Sequence, residues 1–115
     1  MRERTPVIPP EPPPQARPFL HTGRPEGDAV LLVHGLTASP SEVRPLADAL
    51  LRRDPALTVC CPLLPGHGTT PDDLRRTPAS AWSEAIRGEV DRLLRAGHRV
   101  HAMGVSLGAV LAAEV

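Results

Sequence analysis

One serine sits between two glycines in Gly104-Val105-Ser106-Leu107-Gly108, where the apolar run at 98–106 gives way to the Ala/Leu-rich run that starts at 107. A hydroxyl in that setting can attack an acyl carbon, provided the chain reverses sharply enough to lift it clear of its neighbours. The glycines supply the steric means. A strand turning directly into a helix brings the residues two before and two after the serine together, and only a missing Cβ avoids a clash there. The serine must then hold a sparsely populated φ/ψ, at about 1–3 kcal/mol, which the surrounding packing has to sustain. Its hydroxyl would stand at the carboxyl edge of a sheet, where open α/β folds bind their ligands.

A pentapeptide with two free positions arises often by chance, so its context decides its weight. Acyl transfer needs backbone amides aimed at the developing oxyanion. The Leu107 amide, next after the serine and at a helix N-terminus, is one donor. The loop "HGLTASP" (34–40), after the first long apolar run, is the source of a second.

The elements that must hold these groups read as strands alternating with helices, the pattern of parallel βαβ units and hence of an α/β fold. "PFLHTG" is a short strand leading into a turn. "AVLLVHG" (29–35) is an unbroken aliphatic run, as in a strand covered on both faces. Ser39, Pro40 and Glu42 have the spacing of a capping box. Behind them Val43, Leu46, Ala47, Leu50 and Leu51 share a helical face, with Pro45 separating or bending the first turn. A second buried strand covers about 57–61, followed by a Pro/Gly loop. Thr77 is the cap candidate for a helix carrying Trp82, Ile86, Val90, Leu93 and Leu94, which Gly97 ends. The third strand is 98–106. The last helix is apolar on nearly every side and so expected to be buried.

Three motifs in this order, "LLVHGLTASPSEVRPLADAL", "LPGHGTTPDDL" and "GVSLG", resemble the α/β-hydrolase-fold serine hydrolases, particularly the bacterial carboxylesterases and monoacylglycerol-lipase-like members. The resemblance covers roughly residues 18–115, the N-terminal half of such a domain, ending just after the nucleophile elbow. It implies Ser106 as nucleophile, the amides of Leu36 and Leu107 as oxyanion hole, and His34, Gly35, Gly104 and Gly108 as motif support. Relatives with dehalogenase or epoxide-hydrolase chemistry carry Asp at the nucleophile position, and here it is Ser.

In this fold the catalytic residues follow the order Ser, Asp or Glu, His. All five histidines, 21, 34, 67, 98 and 101, precede Ser106. None is therefore the base: His34 and His67 are expected to shape loops, and the other three to be solvated or hydrogen-bonded. The 115-residue chain is expected to be inactive by itself, lacking both acid and base. The resemblance implies a carboxylic ester substrate turned over through an acyl-enzyme, with acyl preference set beyond residue 115. A non-catalytic truncated module, or a thioesterase or serine aminopeptidase-like enzyme of the same fold, are the alternatives. The strand order of the resembled family implies that the first long strand lies between the second and third, which would leave the third as an open edge that favours self-association.

Composition narrows the setting. Thirteen basic residues, all Arg, balance thirteen acidic ones, so no basic footprint for nucleic acid is present. No run approaches the ~20 apolar residues of a membrane span. No ligand spacing for a metal appears and no cofactor is implied. Cys60 and Cys61 are adjacent, a poor geometry for a disulfide, and read as buried free thiols. Seven of fifteen prolines lie in the first eighteen residues, so 1–17 is expected to be a disordered leader. Without an apolar segment behind its arginines, that start is not expected to be a secretory signal, and a cytoplasmic protein is the expectation.

Overall fold

The structure is a computed structural model and describes residues 11–115. Most of the Pro-rich leader lies outside the described residues. In its described part Pro14–Ala16 forms a 3-10 turn, with Ala16 buried.

A four-stranded sheet forms the centre. β1 (Phe19–His21), β2 (Asp28–Val33), β3 (Thr58–Cys61) and β4 (Arg99–Gly104) are ordered β1-β3-β2-β4. β1 pairs antiparallel with β3, while β2 runs parallel to both β3 and β4. As the strand order of the resemblance requires, β2 is central and β4 lies at the edge. Around the sheet stand α1 (Arg44–Arg53), α2 (Pro71–Arg76), α3 (Ala79–Arg95) and α4 (Leu107–Glu114).

Two apolar clusters pack on opposite faces of the sheet. Ala29, Leu31 and Val33 join Cys60, Leu64, Ile86, Leu93 and Leu111 in one. Val30 and Leu32 join Val43, Ala47, Val59 and Cys61 in the other. The alternation of successive β2 side chains between the two follows from strand geometry, and explains why 29–33 is apolar without a break. Fully burying one Leu of this strand is worth roughly 1.5–3 kcal/mol.

Several expectations shift. The span 39–53 divides: Pro40–Glu42 is a 3-10 turn, and α1 begins at Arg44 with Pro45 in its first turn, where a missing amide costs nothing. Ser39 makes no side-chain cap bond, so the capping box is not formed. Leu46 and Leu94 are exposed, each at the margin of its helix's apolar face. The 62–78 loop contains α2, which Thr70 caps by accepting from the Asp73 amide. Thr77 is the end of α2 rather than the cap of α3, its hydroxyl donating to Asp73 O, and Pro78 takes the position before α3. α4 buries Gly108 and Leu111 but leaves Val110 57 % exposed, because only one of its sides meets the sheet and α3.

Cys60 and Cys61 are free and buried, with thiols pushed up to about 12, in each case chiefly by burial. Among the described residues no helix is long and apolar enough to cross a membrane, and no group of His, Cys, Asp and Glu could hold a metal ion.

Candidate active site

Parallel pairing assembles the site. Val33 stands opposite Gly104, each the last residue of its strand. Both chains therefore leave the sheet at the same edge, β2 into His34-Gly35-Leu36 and β4 into Val105-Ser106-Leu107. The ladder extends one step further through Val105 N–H donating to Val33 O at 3.1 Å.

Ser106 then adopts φ 55° and ψ −118° and immediately precedes α4. This is left-handed backbone in a non-glycine residue, the strain expected of a sharp strand-to-helix reversal. The two glycines are required by contact. A Cβ on Gly104 would lie 2.1 Å from the Gly108 carbonyl carbon, and one on Gly108 would lie 2.1 Å from Val33 O. The turn is thus pressed against itself and against β2.

Gly35, in the turn after β2, lies close to the serine. A Cβ placed on it would be 3.6 Å from Ser106 Cβ and 3.3 Å from Val105 O. After it the chain turns, with Ala38 N–H donating to Gly35 O and Thr37 at φ 63°, a conformation that such turns normally give to Gly or Asn. Leu36 lies inside this turn and Leu107 opens α4. The N–H of neither donates to any group among the described residues. Ser106, Leu36 and Leu107, singled out from sequence, are thus carried by two adjoining turns at one sheet edge.

The histidines do other work. His34 is fully buried at the end of β2. Its Nδ1–H donates to Gly35 O at 2.8 Å, and its Nε2 accepts the Leu64 amide at 3.1 Å. Both ring nitrogens are engaged, which fixes a neutral tautomer. Burial lowers its pKa from the ordinary imidazole value, in the same direction. The ring joins the loop after β2 to the one after β3 and has no lone pair left for a serine proton.

His67 is buried edge-on against His34 and Trp82, with ring centroids 5.1 and 5.6 Å away. Its Nδ1–H donates to Pro65 O, and its Nε2 is buried without a partner among the described residues. Trp82 Nε1–H also donates to Pro65 O, at 2.9 Å, so this core residue holds the 64–68 loop as well. His21, His98 and His101 bond Leu57 O, Gly27 O and Asp28 Oδ1 respectively. A cavity of about 450 Å³ opens between loops 37–41 and 66–71, lined by Thr37, Ser39, Ser41, His67 and Thr70, without Ser106.

Sequence reasoning missed Glu42 as a site neighbour. Its carboxylate accepts the Gly35 amide at 2.8 Å. The signal was its spacing from Ser39, which equally describes a helix cap.

Comparison with known proteins agrees with this architecture. Residues 30–115 match the model of the alpha/beta hydrolase family. A thermostable monoacylglycerol lipase of Bacillus sp. (strain H-257) is 38 % identical over 96 residues, 84 % of this chain and 37 % of that protein. A carboxylesterase of Bacillus subtilis (strain 168) is 34 % identical over 101 residues, 86 % of this chain and 39 % of the relative. A solved structure from a study of LipS and LipT, two metagenome-derived lipolytic enzymes, superposes with TM-score 0.79 at 33 % identity, covering 89 % of this chain and 40 % of the other. A mostly parallel sheet whose central strand abuts a strained serine turn defines an α/β hydrolase, and this chain belongs to the alpha/beta hydrolase family. It spans less than half the length of these relatives.

Proposed function

We propose that the chain is the nucleophile-bearing half of a serine hydrolase acting on carboxylic esters, in the manner of a carboxylesterase or monoacylglycerol lipase. The observation that carries this reading is the backbone of Ser106, held at φ 55° where β4 turns into α4. In the proposed reaction Ser106 Oγ attacks the ester carbonyl and the Leu36 and Leu107 amides stabilise the oxyanion. The alcohol leaves, and water then releases the acid from the acyl-serine.

A serine hydroxyl is a poor nucleophile at neutral pH without a base. His34 cannot serve, since both its nitrogens are occupied. Among the described residues no side chain hydrogen-bonds Ser106 Oγ, and the relatives run to more than twice the length matched here. The acid and the base are accordingly assigned to the counterpart of that further length in the complete protein, and the 115 residues alone are expected to be inactive. Similarity to a monoacylglycerol lipase, a carboxylesterase and a lipolytic enzyme favours a small-molecule ester over a thioester or peptide.

The test is hydrolysis of short- and medium-chain p-nitrophenyl esters and of a monoacylglycerol by the complete protein from its full reading frame. Wild type is expected to turn over esters, and Ser106→Ala to lose at least about 10³-fold in kcat. Undiminished turnover by Ser106→Ala would overturn the assignment.

A further inference from the structure

Glu42 stands outside the strand–loop–serine motif, yet its side chain reaches back seven residues to the main chain beside Ser106. Gly35 is the residue with the greatest backbone freedom in that loop, and both peptide groups flanking it are held from outside. On one side Glu42 Oε1 accepts the Gly35 N–H at 2.8 Å. On the other, Gly35 O accepts from His34 Nδ1–H at 2.8 Å and from the Ala38 amide at 3.2 Å. In a trans peptide C=O and N–H point in opposite directions. Holding Gly35 O toward His34 and Ala38 therefore turns the Leu36 N–H away from them.

We propose that Glu42 is a positioning residue for the oxyanion hole: by holding the Gly35 amide it completes a clamp that fixes the direction of the Leu36 N–H. This rests on the reading of Leu36 as an oxyanion donor. Its alternative role, capping the 40–42 turn, lacks the reciprocal bond such a cap requires, since Ser39 makes no side-chain cap bond and Glu42 bonds Gly35. A negative charge this near the hole opposes the oxyanion, so the useful property of Glu42 is its acceptor oxygen and not its charge. The glutamine variant separates the two, keeping an oxygen of the same reach and removing the charge.

The experiment is steady-state ester hydrolysis by the complete protein carrying Glu42→Ala or Glu42→Gln, with thermal melting of each. Removing an oxyanion donor outright costs about 10²–10³ in kcat, and loosening one should cost less. Glu42→Ala is expected to lower kcat about tenfold with KM within about twofold of wild type, and Glu42→Gln to equal or exceed wild-type kcat. Unchanged kcat in Glu42→Ala would overturn the proposal. So would a loss in Glu42→Gln as large as in Glu42→Ala, which would assign the effect to charge. Ser106→Ala in the otherwise native protein reports separately on the serine, so failure of the clamp and failure of the proposed function give different results.

Discussion

β2 and β4 lie side by side, run the same way, pair through six residues and each deliver one turn to the site, yet they are held by different means. Five of the six β2 residues are buried, and apolar side chains pack against them from both faces. β4 exposes four of its six residues, with Met103 at 41 %. The turn after β2 is therefore anchored by side-chain packing together with the His34 and Glu42 hydrogen bonds. The serine turn after β4 is positioned chiefly by backbone proximity, which its glycines permit. Strain at Ser106 is sustained because α4 cannot rise without losing the contact of Gly108 with Val33.

Gly108→Ala should break that difference most severely. A methyl placed 2.1 Å from Val33 O must drive α4 off the sheet. The expected loss exceeds the 2–5 kcal/mol typical of a buried Leu→Ala, or no folded protein is recovered, as read by urea denaturation of the complete protein. Leu31→Ala, the matching lesion in β2, should fall within that 2–5 kcal/mol range and leave the elbow formed. If Gly108→Ala proved the milder of the two, side-chain packing rather than close backbone approach would hold the serine turn.

Acid should weaken the β2 side specifically. Burial holds the His34 pKa below its ordinary value, so the folded state binds fewer protons than the unfolded one. Its contribution is complete above the unfolded imidazole pKa of about 6.5 and is lost as pH falls from there through the depressed folded value. Stability measured at pH 5.5 should be lower than at pH 7.5, and His34→Gln should shrink that difference. An equal difference in the variant would place the acid sensitivity elsewhere.

The smallest effect belongs to the exposed edge. Val110→Lys and Met103→Lys should alter stability by under about 0.5 kcal/mol, since neither side chain is buried. They should nevertheless reduce self-association of the 115-residue chain in light scattering: Met103→Lys puts charge on the open edge strand β4, which disfavours edge-to-edge pairing, and Val110→Lys breaks up the exposed apolar side of the adjoining α4. Association unchanged by either would show that this edge is not the sticky one.

Much of this was legible in the residues. The aliphatic run 29–33 has no polar alternation because both faces of β2 are covered, and the glycines at 104 and 108 announced a turn too tight for a Cβ. What escaped notice was what local spacing cannot encode. Glu42 fits a capping box as well as a long-range bond to Gly35, and only the loop's path decides. α2 was hidden because Pro and Gly crowd around six residues too few to show a period. α4 reads as buried from composition, but the burial of an apolar helix depends on which neighbours are present.

Whether the reversal at residue 106 presents a reactive hydroxyl is read by peptide mapping with mass spectrometry after the complete protein reacts with a fluorophosphonate. A single stoichiometric adduct is expected on Ser106, absent from Ser106→Ala. An adduct on another serine, or equal labelling of the variant, would contradict it.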